Sequence, residues 1–424
     1  ESSDYNWNEE EAKKIKTDWD NEFKNSNIPT FKGFLRESGK AAIRNEVWIV
    51  PTVGCVNEIS KSLENWANDQ LKNGDFSDTS FANVDGVRAW THPYGCSQMG
   101  EDHASTRKIL ADLVNHPHAA GVLVIGLGCE NNTIDKFKEE IGEYNSDRVK
   151  FMITQEFDDE IQAGKDFLSL LIKYSATFKR EEIPFSKLIV GMKCGGSDGL
   201  SGITANALIG RVSDKLVSES ASTILTEVPE MFGAEQILLN RCVSKEIFDA
   251  AVGIISGFKD YYVKHNQVVY DNPSPGNKAG GITTLEDKSI GCVQKGGRAP
   301  ISHVLKYGDI IKGTGLQLLE GPGNDIVSTT AMTASGANII LFSTGRGTPL
   351  GAPIPTIKIA TNHELALKKK NWIDFDASTV LSDGFESVTK ELFNYIEDVA
   401  EGKKTKNEEN NYREIAIFKN GVTL

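Results

Sequence analysis

Residues 121–129 read GVLVIGLGC and residues 47–55 read VWIVPTVGC. Each is an apolar run that stops on a glycine followed by a cysteine. Short unbroken apolar runs bounded by glycine suit strands buried on both faces, and such strands belong to parallel sheets. The pattern returns where VDGVRAW leads into THPYGC at 91–96, and where KLIVGMKCGG, 187–196, ends on Cys194 and two glycines. Between the runs lie helical stretches such as NEISKSLENWANDQLK and HASTRKILADLVNH. This alternation predicts βαβ units and an α/β fold. Right-handed crossovers then set the strand C-termini along one edge, where ligands of open α/β sheets bind. Cys55, Cys96 and Cys129 all fall at that edge.

Working outward, residues 1–30 read as a polar helical extension or linker. A first α/β domain, 31–185, carries strands at 47–53, 86–91, 121–127 and 149–154. The charged helical stretch DDEIQAGKDFLSLLIKYSATFKREEIP, 158–184, would link it to a second α/β domain, 186–424. That domain opens on SKLIVGMKCGG, continues through STILTEV at 222–228, and then runs helical to about residue 266. NPSPGNKAGGITTLEDKSIGCVQKGGR, 272–298, is too long for a simple connector and predicts an ordered functional loop. ANIILFSTGRGTPLGAPIPTIKIATN, 337–362, gives two more strands around a glycine-rich loop. The end of the chain turns apolar and strand-like. Two Rossmann-like parallel-sheet regions are expected, with the site at strand C-terminal ends and glycine-rich loops.

Composition narrows the function classes. The chain has 424 residues, 39% hydrophobic and 25% charged, as in soluble globular proteins. Its net charge of −13, without a sizeable basic patch, argues against nucleic acid as a partner. No apolar run reaches the roughly 18–20 residues of a membrane helix. The acidic start, ESSDYNWNEEEAKK, does not resemble a secretory signal, so a cytoplasmic protein is expected. Six cysteines, none in a CxxC pair, indicate neither a disulfide scaffold nor a zinc ribbon.

The strand-end cysteines suggest three kinds of chemistry. Thiolates bind soft or borderline metals, so three cysteines from separate strand ends can hold an iron–sulfur cluster with one iron open to substrate. They can instead join His92, Glu227 or water around a single ion. A nucleophilic cysteine with His92 as its base is the third reading. KCGGSDGLSG and LEGPGNDIVS are glycine-rich loops whose backbone N–H groups can cradle an anion. Arg346 in STGRGTP offers a fork for a carboxylate. Lys193 and Lys278 are candidate bases or carboxylate clamps. The remaining histidines have capping, solvated or structural roles by default.

Taken in order, IRNEVWIVPTVGCVN, THPYGCSQ, VIGLGCENN, GMKCGGSDGLSGITAN, TEVPEMFGAE, NPSPGNKAGGITTLEDKSIGC, GPGNDIVSTTAMTASGA, LFSTGRGTP and NNYREIAIFKNGVTL resemble the altronate dehydratase family of sugar-acid dehydratases, which includes galactarate dehydratase. The match runs from about residue 31 to the C-terminus. The last three stretches, with KNWIDFDAS, look closer to the altronate branch. The resemblance implies a hydro-lyase that converts D-altronate to 2-dehydro-3-deoxy-D-gluconate in hexuronate catabolism. It also implies ferrous iron, Fe2+ in a mononuclear site or an iron–sulfur cluster, with manganese as a substitute. Family members often carry a small N-terminal SAF-type domain, in some relatives as a separate subunit. No such domain is expected within these residues, of which 1–30 resemble the connector that would follow it. A homo-oligomer is also expected.

Elimination of water needs a base for the C2 proton, positive charge for the aci-carboxylate, and an acid or Lewis acid for the leaving C3 hydroxyl. Cys55, Cys96 and Cys129 are the favoured iron ligands, with Cys194 and Cys292 in reserve. Arg346, Lys278 and Lys358 would hold the carboxylate, and His92 or Lys193 would be the base. Ser197, Asp198 and Asn324 would hydrogen-bond the hydroxyls. The competing expectations are a related lyase acting on galactarate or a sulfonated hydroxy acid, a non-catalytic sugar-acid-binding subunit, and a cysteine hydrolase.

Overall fold

The computed structural model describes residues 5–23, 28–270 and 272–421. Residues 1–4 and 24–27 of the expected extension, and the last three residues of the closing motif, lie outside them. The chain forms two compact units. The first holds residues 32–183, a short piece at 333–336 and the chain from 414 on. The second holds residues 184–332 and 337–413, and the N-terminal helix Glu9–Glu22. The closing stretch therefore belongs with the first unit rather than with residues 186–424. Its described part has no regular secondary structure, so the strand expected there does not form among the described residues.

In the first unit the strands are β1 (Thr30–Leu35), β2 (Ala41–Ala42), β3 (Glu46–Pro51), β4 (Gly86–Ala89), β5 (Ala119–Gly126), β6 (Val149–Ile153) and β7 (Glu181–Pro184). Four of them form a fully parallel sheet in the order β4-β3-β5-β6. The other three make a small sheet in the order β2-β1-β7. The inner strands β3 and β5 are buried along their whole length, which is why their sequences read as unbroken apolar runs. Val47, Ile49, Leu123 and Ile125 pack against Leu63 and Ala67 of helix Asn57–Asn73 and against Leu168, Leu171 and Ile172 of helix Glu160–Ser175. The stretch expected as a link is thus one layer of this unit. Its apolar face answers the sheet.

The second unit is built on β8 (Ile189–Cys194), β9 (Ser222–Leu225), β10 (Ile301–Leu305), β11 (Gly315–Leu319), β12 (Ile339–Thr344), β13 (Thr356–Ala360) and β14 (Phe375–Asp376). They form one parallel sheet in the order β10-β11-β9-β8-β12-β13-β14. The chain steps one way from β8 through helix Ala205–Ser218 to β9, and later crosses from β11 to β12 on the other side of β8. The strand order therefore reverses between β8 and β12, the place where open α/β sheets bind ligands. The expected α/β class with two parallel-sheet regions holds. The glycine-rich segment 272–298 is ordered, with helices Pro275–Ala279 and Leu285–Val293. Among the described residues no helix is long and apolar enough to cross a membrane.

Candidate functional site

The carboxyl edge of the seven-stranded sheet gathers a dense cluster of charge. β8 ends on Lys193 and Cys194, both buried. The Lys193 ammonium is ion-paired to a Glu227 carboxylate oxygen, lies 2.9 Å from Asp325 Oδ1, and donates to the Gly323 carbonyl at 3.1 Å. Glu227 follows β9 with φ +67, a left-handed backbone that a non-glycine residue adopts only under constraint. Here the constraint is visible. Glu227 Oε2 accepts the Cys194 N–H at 3.2 Å and the Lys295 ammonium at 2.7 Å. Lys295 Nζ also lies 2.8 Å from Cys194 Sγ.

A second lysine faces the same sulfur from helix Leu285–Val293. Lys288 Nζ lies 2.8 Å from Glu230 Oε2, 3.2 Å from Ser197 Oγ, 3.3 Å from Cys292 Sγ and 3.7 Å from Cys194 Sγ. Lys288 and Cys292 stand four residues apart, so one helix face presents both. Cys292 donates to Glu230 at 2.8 Å, and the two sulfurs are 3.4 Å apart. Beside them opens a cavity of about 340 Å³, lined by Ser197, Asp198, Asn206, Lys288, Ile290 and Cys292 among others.

Charge bookkeeping explains the acidities. The hydrogen bond from Cys292, then Lys288 and Lys295, hold the Cys194 thiol well below its ordinary range. Cys292 is pushed well above its range, first because its proton bonds to Cys194 and then by burial. Burial would raise Glu230, but Lys288, Lys193 and Lys295 together hold it below the usual carboxylate range. Three ammonium groups thus face Glu227, Glu230, Asp325 and the Cys194 thiolate. One negative charge is in excess, and Glu227 is the group least able to keep its own. Burial, reinforced by the Cys194 charge, pushes that carboxyl up to about 7.

The sequence-predicted residues of this unit distribute around the cluster. Ser197 is buried on the cavity wall. Asp198 also lines it, but its carboxylate is taken up by Thr361 Oγ1 at 2.9 Å, Asn362 Nδ2 at 3.0 Å and the Leu200 N–H at 3.2 Å. Lys278 is exposed on helix Pro275–Ala279. Arg346 is exposed too and donates to the Gly276 carbonyl at 2.8 Å. Asn324 is exposed, and its side chain caps helix Asp325–Ala334 at the Val327 N–H, 3.1 Å away. Lys358 is buried, donating to the Thr348 carbonyl at 2.7 Å and to the Leu350 carbonyl. Lys193 is not the neutral amine a base requires. Burial opposes its charge, but Glu227 and Asp325 raise it above the ordinary lysine range.

In the first unit, the loops after β3, β4 and β5 interlock at the carboxyl edge of the four-stranded sheet. The Gly54 N–H donates to the Tyr94 carbonyl at 2.9 Å, and the Asn132 N–H to the Gly95 carbonyl at 3.1 Å. Gly95 has φ +99, and a Cβ there would fall 2.0 Å from the Thr52 carbonyl oxygen. The loops deliver Cys55, Cys96 and Cys129, all exposed free thiols. His92 is buried, with Nε2 2.7 Å from the Pro51 carbonyl and Nδ1 3.1 Å from the Tyr94 N–H. Both nitrogens are occupied by backbone, and burial lowers the ring to about 4. No free lone pair is left for a base; the ring shapes the THPYGC loop.

Metal-binding capacity follows from donor spacing. Among the described residues, one group of three donors converges within 4.8 Å, the Cys194 and Cys292 sulfurs and a Glu230 oxygen. That set could hold a soft or borderline ion, although the Lys288 ammonium contacts the same three atoms. The three exposed cysteines do not converge so closely. They share one sheet edge, and a cluster bound there would take its thiolate ligands from them.

Comparison with known proteins gives this geometry a family. Residues 185–423 match the family described as D-galactarate/Altronate dehydratase, C-terminal, and residues 33–176 match D-galactarate dehydratase/Altronate hydrolase, second domain. The chain belongs to this family. It is 52% identical to an altronate dehydratase of Bacillus subtilis (strain 168), over 96% of this chain and 80% of that protein. It is 50% identical to the altronate dehydratase of Escherichia coli (strain K12), over 92% and 78%. A (2R)-sulfolactate sulfo-lyase subunit beta of Chromohalobacter salexigens is 29% identical, over 92% of this chain and 97% of its own length. The family places the chain among carbon–oxygen lyases that act as hydro-lyases.

Glu230, Lys288, Lys295 and Asp325 stand in no motif that the sequence marks as a site, and Glu227 enters there only as an alternative ligand. Two signals were present. TEVPEMF sets two glutamates three apart straight after an apolar run, and KSIGC sets a lysine and a cysteine on one helix face.

Proposed function

We propose that this chain dehydrates D-altronate to 2-dehydro-3-deoxy-D-gluconate, and that the reaction takes place at the carboxyl edge of the seven-stranded sheet. The observation that carries the site is the buried cluster of three lysines, three carboxylates and a thiolate beside a cavity of about 340 Å³. The substrate is supported by the two altronate dehydratases that share half of its residues. Lys288, the ammonium on the cavity wall, meets the substrate carboxylate, and Arg346 and Lys278 complete the positive rim. Such fixed charge stabilises the aci-carboxylate without reorganising in the transition state. Glu227 is the proton-exchanging group, since its carboxyl is poised near neutrality. Lys193 and Lys295 pin both of its oxygens and so fix the direction of exchange. Ser197 and Asn324 hydrogen-bond the hydroxyls.

Ferrous iron is part of this reading, with manganese as substitute, held by Cys55, Cys96 and Cys129 as a cluster or by Cys194, Glu230 and Cys292 as a single ion. When bound, it supplies a Lewis acid for the departing hydroxyl. The working protein is cytoplasmic and homo-oligomeric and uses a small SAF-type domain or subunit.

A second reading has one specific support. The sulfo-lyase subunit matches nearly its whole length to this chain, which suggests a sulfonated hydroxy acid as substrate. Incubating the anoxic, iron-supplied protein with altronate, galactarate and sulfolactate separates these. A 2-oxo acid formed fastest from altronate is expected; sulfite released from sulfolactate, with altronate untouched, would overturn the assignment.

A further inference from the structure

We propose that Cys194 and Cys292 form an oxidation site at which a hydroperoxide entering the cavity converts the two thiols into a reversible disulfide that closes the site. Its effect on turnover rests on placing the dehydration at this cluster; the disulfide itself does not.

Four observations converge. The sulfurs are 3.4 Å apart, and a disulfide needs about 2 Å, so a small approach of helix Leu285–Val293 to β8 joins them. Two ammonium groups face the pair, Lys295 at 2.8 Å from Cys194 Sγ and Lys288 at 3.3 Å from Cys292 Sγ. Fixed positive charge beside the sulfurs stabilises the anion that leaves as peroxide is attacked. Cys292 lines the cavity, so an oxidant small enough to enter meets a sulfur directly. The second sulfur is in place to resolve the product before it climbs the irreversible part of the oxidation ladder. Buried Cys242 is the contrast within the same unit. Burial pushes its thiol up to about 12, and no second sulfur is near it among the described contacts.

The chemistry balances with hydrogen peroxide as the oxidant. The Cys292 sulfur attacks one peroxide oxygen as its shared proton passes to the Cys194 thiolate, the O–O bond breaks, and the other oxygen leaves as hydroxide that solvent protonates to water. The Cys194 sulfur then attacks the sulfenic sulfur of Cys292. The S–O bond breaks, and the departing hydroxide takes the Cys194 proton and leaves as water. The two sulfurs lose two electrons, and one peroxide becomes two waters. The product removes the negative charge between Lys288 and Lys295. It also drags the helix that carries Lys288, and with it the cavity wall.

The test treats the full-length protein with hydrogen peroxide, blocks remaining thiols with N-ethylmaleimide, and maps peptides without reduction. Altronate turnover is followed on the same samples. The expected result is a cross-link between the peptides of Cys194 and Cys292, a loss of turnover in step with it, and recovery of both by dithiothreitol, with Cys242 unmodified. Finding Cys194 and Cys292 blocked as free thiols after the exposed Cys55, Cys96 and Cys129 have oxidised would overturn the proposal and leave the assigned reaction standing. A cross-link that forms without changing an established turnover would overturn the closing of the site. If the untreated protein shows no turnover but the cross-link forms, the oxidation site stands and the assigned reaction fails.

Discussion

At the residue scale, Lys288 and Lys358 show two fates of a buried ammonium. Lys288 is matched by Glu230 and two sulfurs, so its charge is held above the ordinary range despite burial. Lys358 meets two carbonyls and the face of the Phe342 ring, and burial pushes it down to about 7, against an ordinary 10.5, with Asp374 and Asp325 opposing only in part. Below about pH 7 the folded and unfolded chains are both protonated at Lys358, and the fold bears the whole cost of a buried charge. From there to 10.5 the unfolded chain holds a proton that the folded one lacks, so this residue's share of stability rises with pH. Lys358→Met should therefore flatten that rise. Denaturation midpoints at about pH 6 and about pH 9 check it, with the variant gaining over the wild type most at the lower value. Lys288→Gln leaves the cavity without its ammonium, and KM for altronate should rise on the order of tenfold or more, the worth of one charged hydrogen bond. A steady-state titration reads this directly. The sequence made Lys193 and Cys194 visible as the end of an apolar strand. It could not show that two more lysines, distant in the chain, would arrive at the same sulfur. That juxtaposition depends on the strand order and on how helix Leu285–Val293 packs.

Elements succeed or fail in the sequence according to how far they are buried. β3, β5 and β8 were legible because both their faces are covered, which forces apolar runs. β10 is an edge strand whose middle residues are only half-buried, so ISHVL carries a weak signal, and neither it nor β11 was anticipated. Loops are the converse. Their glycines announced a close approach without saying to what. Gly345 is the clearest instance, for a Cβ there would fall 2.2 Å from the Asp198 carboxylate carbon. Asp198 in turn ties the loop after β8 to Thr361 and Asn362. Gly345→Ala should push Asp198 off these partners, cost about 1–3 kcal/mol of stability as overpacking does, and lower turnover with it. Thermal melts alongside assays measure both. Gly39→Ala is the comparison at an open position, where only the left-handed backbone resists the change.

For the whole molecule, the order of motifs along the chain carried the family, and the parallel-sheet architecture followed from strand and helix alternation. The division of labour between the two units did not. Cys55, Cys96 and Cys129 lie in one and the charged cluster in the other, and strand-end cysteines look alike in sequence whichever sheet they end. Iron content distinguishes the two candidate metal sites. Protein purified without oxygen should carry iron. Sulfide in equal amount, at about three to four irons per chain, assigns the three exposed cysteines; about one iron without sulfide assigns Cys194, Glu230 and Cys292. A chain that binds no iron, and whose turnover ferrous salts do not raise, contradicts both.

In the proposed dehydration of altronate, Glu227, pushed toward neutrality inside a lysine and thiolate cluster, exchanges the proton. The measurement that tests it most directly is kcat for altronate against pH, in the wild type and in Glu227→Gln of matched secondary structure. A limb centred near pH 7 is expected in the wild type. A pH-insensitive residual rate, lower by about a hundredfold or more, is expected in the variant. The same limb in both proteins, or an undiminished rate in Glu227→Gln, would contradict this role.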